Sequence, residues 1–167
     1  MFDNDKRKIS VLIGNIKCHK LIKKFIESLH NLQRNTNSQL LITTSRRTNQ
    51  RLIKSLKSEL GRNNYIYEWS SGDKNPYLAL LAMGDAIVVT GDSVSMCSEA
   101  CSTGKPVYIL PIKSLSYIKH LRFIKSLFKN RMARKFTKNI KNLNNTKNTL
   151  PSASDLVAEK IKELISY

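Results

Sequence analysis

The sequence predicts an α/β fold: three layers, with a doubly wound parallel sheet of five strands in the order 3-2-1-4-5 and helices on both faces. Three observations carry this. Short apolar runs alternate with amphipathic segments of helical period over residues 8–112. Most of the runs are nearly continuous in their apolar residues, which suits strands covered on both faces. The helical segments between them are long enough to serve as right-handed crossovers, which parallel strands need.

Ile9 to Gly14 (I-S-V-L-I-G) reads as the first strand. Leu21, Ile22, Phe25, Ile26 and Leu29 repeat at helical spacing and form the first helix, closed by the polar stretch Asn31 to Ser38. Leu40 to Thr44 is the second strand, and Leu52, Ile53, Leu56 and Leu60 mark a second helix stopped by Gly61. Tyr65 to Tyr67 is a third, weaker strand. Asn75-Pro76 opens a short helix through Met83, with proline at the first helical position. Ala86 to Thr90 is the fourth strand. Asp92 or Ser93 caps the next helix, which runs to about Thr103 and stops at Gly104. Pro106 to Leu110 is the fifth strand. Leu115, Ile118, Leu121 and Phe128 indicate one more helix, and Lys138 to Thr149 reads as a polar loop. Ser152 caps a closing helix, with Asp155 as its acidic third residue and Leu156, Val157, Ile161, Leu164 and Ile165 as its apolar positions. Residues 1–167 thus read as one domain: a core over 8–112, a basic helix and Asn/Lys-rich loop over 113–151, and a closing helix over 152–166.

Length and composition bound the function. A length of 167 residues bounds the chain to one domain or at most one and a half, and 41% hydrophobic residues is too apolar for a disordered chain. No apolar run approaches the roughly 20 residues that span a bilayer. Met1 to Lys8 lacks the apolar centre of a signal peptide. The expected location is cytoplasmic, with peripheral contact at the inner face of a membrane as an option. Cys18, Cys97 and Cys101 make no C-x-x-C pair, and His19, His30 and His120 are scattered, so neither a metal site nor a disulfide framework is expected. The balance of 29 Lys+Arg against 12 Asp+Glu gives a net charge of +17. Such a charge suits phosphorylated ligands, anionic lipid or nucleic acid. It is equally what an AT-rich coding sequence writes at tolerant surface positions, since Asn and Ile are abundant as well.

In an open parallel sheet a ligand sits beyond the carboxyl ends of the strands, where the strand order reverses. Here that is the gap between the first and fourth strands. The rule selects three loops: Gly14-Asn15, Thr44 to Arg47, and Gly91 to Ser95. The last leads into a helix N-terminus, whose free N–H groups and dipole favour an anion. Gly91 permits close backbone approach, and the Ser93 and Ser95 hydroxyls can donate to phosphate oxygens; plain capping explains the same residues. Ser45, Arg46 and Arg47 place two guanidiniums at this edge, a geometry suited to paired bonds with diphosphate. Glu99 either accepts from the two hydroxyls of a ribose or lies on a solvated helix face. Trp69, at the end of the third strand, is a base-stacking candidate or a core residue. G-x-G-x-x-G and G-x-x-x-x-G-K-[ST] are both absent, so the NAD fingerprint and the phosphate loop of ATPases are not expected. Lys119, Arg122, Lys125, Lys129, Arg131, Arg134 and Lys135 form a basic stretch for anionic membrane or a solvated face, and no aromatic RNA-recognition motif interleaves it.

The run Asn75-Pro76-Tyr77, then Ala86 to Val107 with its D-S-V-S-M-C-S-E-A segment, resembles the mitochondrial-fission "elongated mitochondria" family, and Thr43-Thr44-Ser45-Arg46-Arg47-Thr48 matches a second signature of it. The resemblance spans Leu40 to Leu110. That family is in turn similar to GT-B glycosyltransferases, which have two Rossmann-like domains facing a cleft, and this chain resembles only the C-terminal, donor-binding one. The resemblance implies nucleotide-sugar contacts at Ser93, Ser95 and Glu99 and a phosphate contact at Arg46. Gly14-Asn15 departs from the more glycine-rich turn of such domains. The N-terminal domain, which usually supplies the acceptor site and catalytic base, has no counterpart here, so no catalytic residue is assigned.

The expectation is therefore the donor half of a metal-independent sugar transferase in envelope or glycoconjugate synthesis. It binds a nucleotide sugar, needs no cofactor or metal, and either works with a separate N-terminal-domain protein or as a homo-oligomer, or is a fragment from a truncated or split gene. The rival is a non-catalytic factor that recruits fission machinery to a membrane; nucleic acid is not an expected partner.

Overall fold

A computed structural model describes residues 5–112, 118–143 and 153–165. Its centre is a six-stranded sheet in the order β3-β2-β1-β4-β5-β6, parallel at every pairing. The strands are β1 (Arg7–Ile13), β2 (Ser38–Thr44), β3 (Tyr65–Tyr67), β4 (Ala86–Thr90), β5 (Val107–Leu110) and β6 (Arg134–Lys135). The helices are α1 (His19–Thr36), α2 (Gln50–Leu60), α3 (Tyr77–Met83), α4 (Val94–Ser102), α5 (Ile118–Lys129) and α6 (Ala153–Ile165). The five expected strands and their order are present, and β6 is an addition.

Alternation along the strands divides the core into two layers. Ile9, Val11 and Ile13 of β1, with Ala86 and Val88 of β4, pack under α1 and α2. Leu12, Ile87, Val89 and Ile109 point to the opposite face, under α4 and α5. Register is tight where it matters for the site: Ile13 pairs with Thr44, Leu12 with Val89 and Thr90 with Leu110, so four strands end at one level.

Several boundaries differ from the sequence reading. α1 continues through Asn31–Thr36 because Leu32 extends the buried stripe of Phe25 and Leu29, and it stops at Asn37 in the left-handed conformation. Pro76 sits at the N-cap position of α3 rather than inside it, and the Asn75 side chain accepts from the Tyr77 amide. α2 passes through Gly61 into a single 3-10 turn, Gly61–Asn63. Of the polar loop expected over Lys138 to Thr149, Lys138–Leu143 runs along α1: Asn35 Nδ2 donates to Ile140 O, and Ile140 and Leu143 touch the core. Asn144 to Thr149, Leu115 and the Ser152 cap lie outside the described residues. No helix among the described residues is long and apolar enough to cross a membrane.

Candidate functional site

The carboxyl ends of β1, β2 and β4 are sewn together by side chains of the loops that leave them. Asn49 caps α2 by accepting from the Leu52 amide at 2.9 Å. Its amide nitrogen reaches across to Asn15 Oδ1 at 3.1 Å and Ile16 O at 2.7 Å. Thr48 Oγ1 donates to Gly14 O at 2.6 Å and accepts from the Ser45 amide. The loop Ser45–Asn49 is thereby fixed against the end of β1, with Arg46 and Arg47 exposed above it.

Between β1 and β4 stands Asp92, 8% exposed. Its carboxylate accepts from the Thr90 hydroxyl at 2.7 Å and from the Asn15 amide at 2.9 Å. Thr90 Oγ1 in turn accepts from the Gly14 amide at 2.7 Å. Arg47 Nη2 lies 3.6 Å from Asp92 Oδ2. A buried carboxylate needs such partners. Asp92 is therefore not the helix cap. Ser93 is, with Oγ facing the Met96 amide at 3.5 Å. The first helical amides, of Val94 and Ser95, precede the intrahelical ladder and point out of the helix end.

The room left by the two glycines is used inside the fold. A Cβ on Gly14 would come within 2.6 Å of Asp92 Cγ, and one on Gly91 within 2.8 Å of Ile124 Cδ1. The Gly91 amide donates to Leu110 O at 2.8 Å. Gly14 and Gly91 thus admit a carboxylate and an isoleucine respectively.

The structure brings Ser45, Arg46, Arg47, Ser93 and Ser95 to one edge, joined through the Arg47–Asp92 pair. Ser95 is exposed and Ser93 half-buried. Glu99 lies further along α4, exposed, and its Oε2 accepts from the Tyr77 hydroxyl of α3. Trp69 is not a core residue. It is 47% exposed, in a 3-10 turn at the end of β3, and its amide donates to Thr44 Oγ1 at 3.0 Å.

Sequence reasoning missed Thr48, Asn49, Thr90 and Tyr77. Asn49 carried a signal, as a cap residue before the helical run. The others act through contacts 22 to 76 residues apart in the chain, as in Thr90 with Gly14, and leave no local signature.

Two clefts of about 400 Å³ open at the opposite edge of the sheet. Arg34 lines both, with Arg62 in one and Arg7 and Lys141 in the other. The C-terminal ends of α1 and α2 meet there, and their negative poles oppose an anion. The N-terminus of α4 favours one.

The sequence profile described as "Mitochondrial fission ELM1" matches residues 3–165. The chain belongs to the mitochondrial fission ELM1 family. The mitochondrial fission protein ELM1 of Arabidopsis thaliana is 43% identical over 117 residues, covering 70% of this chain and 27% of that protein. An uncharacterized protein of Rickettsia prowazekii is 35% identical over 140 residues, covering 83% of this chain and 40% of that protein. The chain therefore spans about a quarter to two-fifths of the length of these ELM1-family relatives.

Among solved structures, the S. aureus MnaA–UDP structure superposes with a TM-score of 0.56 at 15% identity, over 98% of this chain and 38% of that one. The Neisseria meningitidis UDP-GlcNAc 2-epimerase bound to UDP-GlcNAc gives 0.51 at 16%, over 99% and 37%. The glycotransferase of kitacinnamycin gives 0.56 at 15%, over 84% and 33%. These likenesses show the fold: the ELM1-family chain is a single α/β domain similar to those of GT-B glycosyltransferases.

Proposed function

We propose that this chain is the nucleotide-sugar-binding half of a GT-B-like glycosyltransferase of envelope or glycoconjugate synthesis. One observation carries the reading. The Arg47–Asp92 pair joins the loop after β2 to the loop after β4, setting Arg46 and the start of α4 at the same edge, where the strand order reverses. The UDP in the S. aureus MnaA structure and the UDP-GlcNAc in the Neisseria epimerase suggest the ligand class.

The diphosphate lies across the N-terminus of α4, outside the Asp92 carboxylate. Arg46, the Ser93 and Ser95 hydroxyls and the free amides of α4 stabilise the charge that develops on the departing nucleoside diphosphate. Asp92 holds Arg47 in place rather than meeting phosphate. Glu99 takes the ribose hydroxyls, and Trp69 is placed to stack on the base. The domain alone holds a donor but positions no acceptor, so it catalyses transfer poorly. A second Rossmann-like domain facing this one completes the site.

Calorimetry tests this with UDP, CDP and their sugars on the intact chain. Heat of binding that disappears in Arg46→Ala supports the reading; no heat from any of them overturns it. The recruitment reading, with contact at a membrane surface, has one observation in its favour. Val157, Ile161, Leu164 and Ile165 make an exposed apolar stripe on α6, suited to a partner. The double variant Arg46→Ala with Glu99→Ala abolishes cellular function under the first reading and leaves it intact under the second.

A further inference from the structure

We infer that Tyr77 is a positioning residue for nucleotide recognition, turning Glu99 so that one carboxylate oxygen is pinned and the other faces a ribose. The inference rests on the reading of Glu99 as the ribose acceptor and adds a residue that this reading does not contain.

An exposed glutamate on a helix samples several rotamers, and ordering it costs entropy. Glu99 is not free in this way. Its Oε2 accepts from the Tyr77 hydroxyl, a bond between two helices 22 residues apart in the chain. Tyr77 is itself held by packing and hydrogen bonds. Its ring packs against the layer containing Leu81, Cys97, Ala100 and Cys101. Its amide is held by Asn75 Oδ1 at 3.0 Å, at the start of α3. The phenol stays protonated: burial, and then the hydrogen bond to Glu99, raise its pKa above the ordinary tyrosine value. It is therefore a permanent donor, and Oε1 of Glu99 is left for a ligand.

The geometry along α4 fits a nucleoside diphosphate. Glu99 is five residues beyond Val94, about 7.5 Å along the axis at 1.5 Å per residue. That is on the order of the distance between a diphosphate at the helix end and the hydroxyls of the ribose that carries it. A donor that fixes the carboxylate before binding lowers the ordering cost at the moment of recognition.

The test compares UDP with 2′,3′-dideoxyuridine diphosphate on the intact chain, in wild type, Tyr77→Phe and Glu99→Gln. Glu99→Gln is expected to weaken UDP about tenfold or more, as a charged acceptor is lost. Tyr77→Phe is expected to weaken UDP about threefold to tenfold and to leave the dideoxy nucleotide unchanged. A merely structural tyrosine would weaken both nucleotides equally, and that result overturns the inference. So does a Tyr77→Phe protein that binds UDP like wild type while Glu99→Gln does not. A Glu99→Gln protein that binds like wild type overturns the ribose reading itself, and the inference falls with it. Should Tyr77→Phe not fold, the wild type still decides. The Tyr77 ring resonance should shift with UDP and stay put with the dideoxy nucleotide; no shift with UDP, or equal shifts with both, overturns the inference.

Discussion

A methyl group on Gly14 would meet the Asp92 carboxyl carbon at 2.6 Å, and that carboxylate is tied to Thr90, Asn15 and Arg47. Gly14→Ala is therefore expected to cost about 1–3 kcal/mol, the usual range for forcing atoms into a packed site. Asp92→Ala frees that space, so the double variant should be more stable than the two single losses predict. Urea denaturation in a double-mutant cycle measures the difference. The thiols give a second residue-scale prediction. Burial raises Cys97 and Cys101 to about 12, whereas Cys18 is exposed. At pH 8 the buried thiolates amount to about one in 10⁴. Iodoacetamide should label Cys18 alone in the folded chain and all three in urea. Unfolded thiols ionise near pH 8.5 and the folded pair near 12, so their contribution is intact below pH 8.5 and lost as pH rises toward 12. The urea midpoint should fall from pH 8 to pH 10, and less steeply in Cys97→Ala with Cys101→Ala. At this scale the sequence was partly legible. Ser45, Arg46, Arg47, Ser93 and Ser95 follow from the rule about strand ends. The lock around Asp92 does not, because it joins residues far apart in the chain.

Elements with long apolar repeats were legible apart from the last turns of α1. β1, β2, β4 and β5 are nearly continuous apolar runs, and the crossovers between them fix the order of the sheet. β6 was not legible. It is two exposed residues, Arg134 and Lys135, with no apolar pattern of its own. Its place is set by the neighbouring Phe136. The Phe136 amide donates to Ile109 O at 2.8 Å, and its ring meets Phe25 edge-on, with centroids 5.8 Å apart. The stretch to Leu143 is thereby strapped along α1. Phe136→Ala should cost about 3–5 kcal/mol, the range for a deleted core aromatic. Faster amide exchange at Arg134–Leu143 than in β1 would accompany it. Unchanged stability would mean that the strap is independent of the core.

For the whole molecule, a net charge of +17 on a chain with two clear apolar layers separates surface from fold. The charge says nothing about the topology, which comes from periodicity. The stripe of Val157, Ile161, Leu164 and Ile165 follows helical spacing, was legible as amphipathic, and is exposed. An apolar dye such as ANS should fluoresce on the native chain, and Ile161→Glu with Leu164→Glu should remove most of that signal at unchanged stability. The ELM1-family profile matches residues 3–165, this helix included. The most direct test of an anion seat at the loops after β2 and β4 is amide shift mapping by NMR during a UDP titration of the intact chain. The predicted result is that the largest shifts fall on Ser45–Thr48 and Ser93–Met96. Largest shifts around Arg34 and Arg62 at the opposite edge, or no shifts at millimolar UDP, would contradict it.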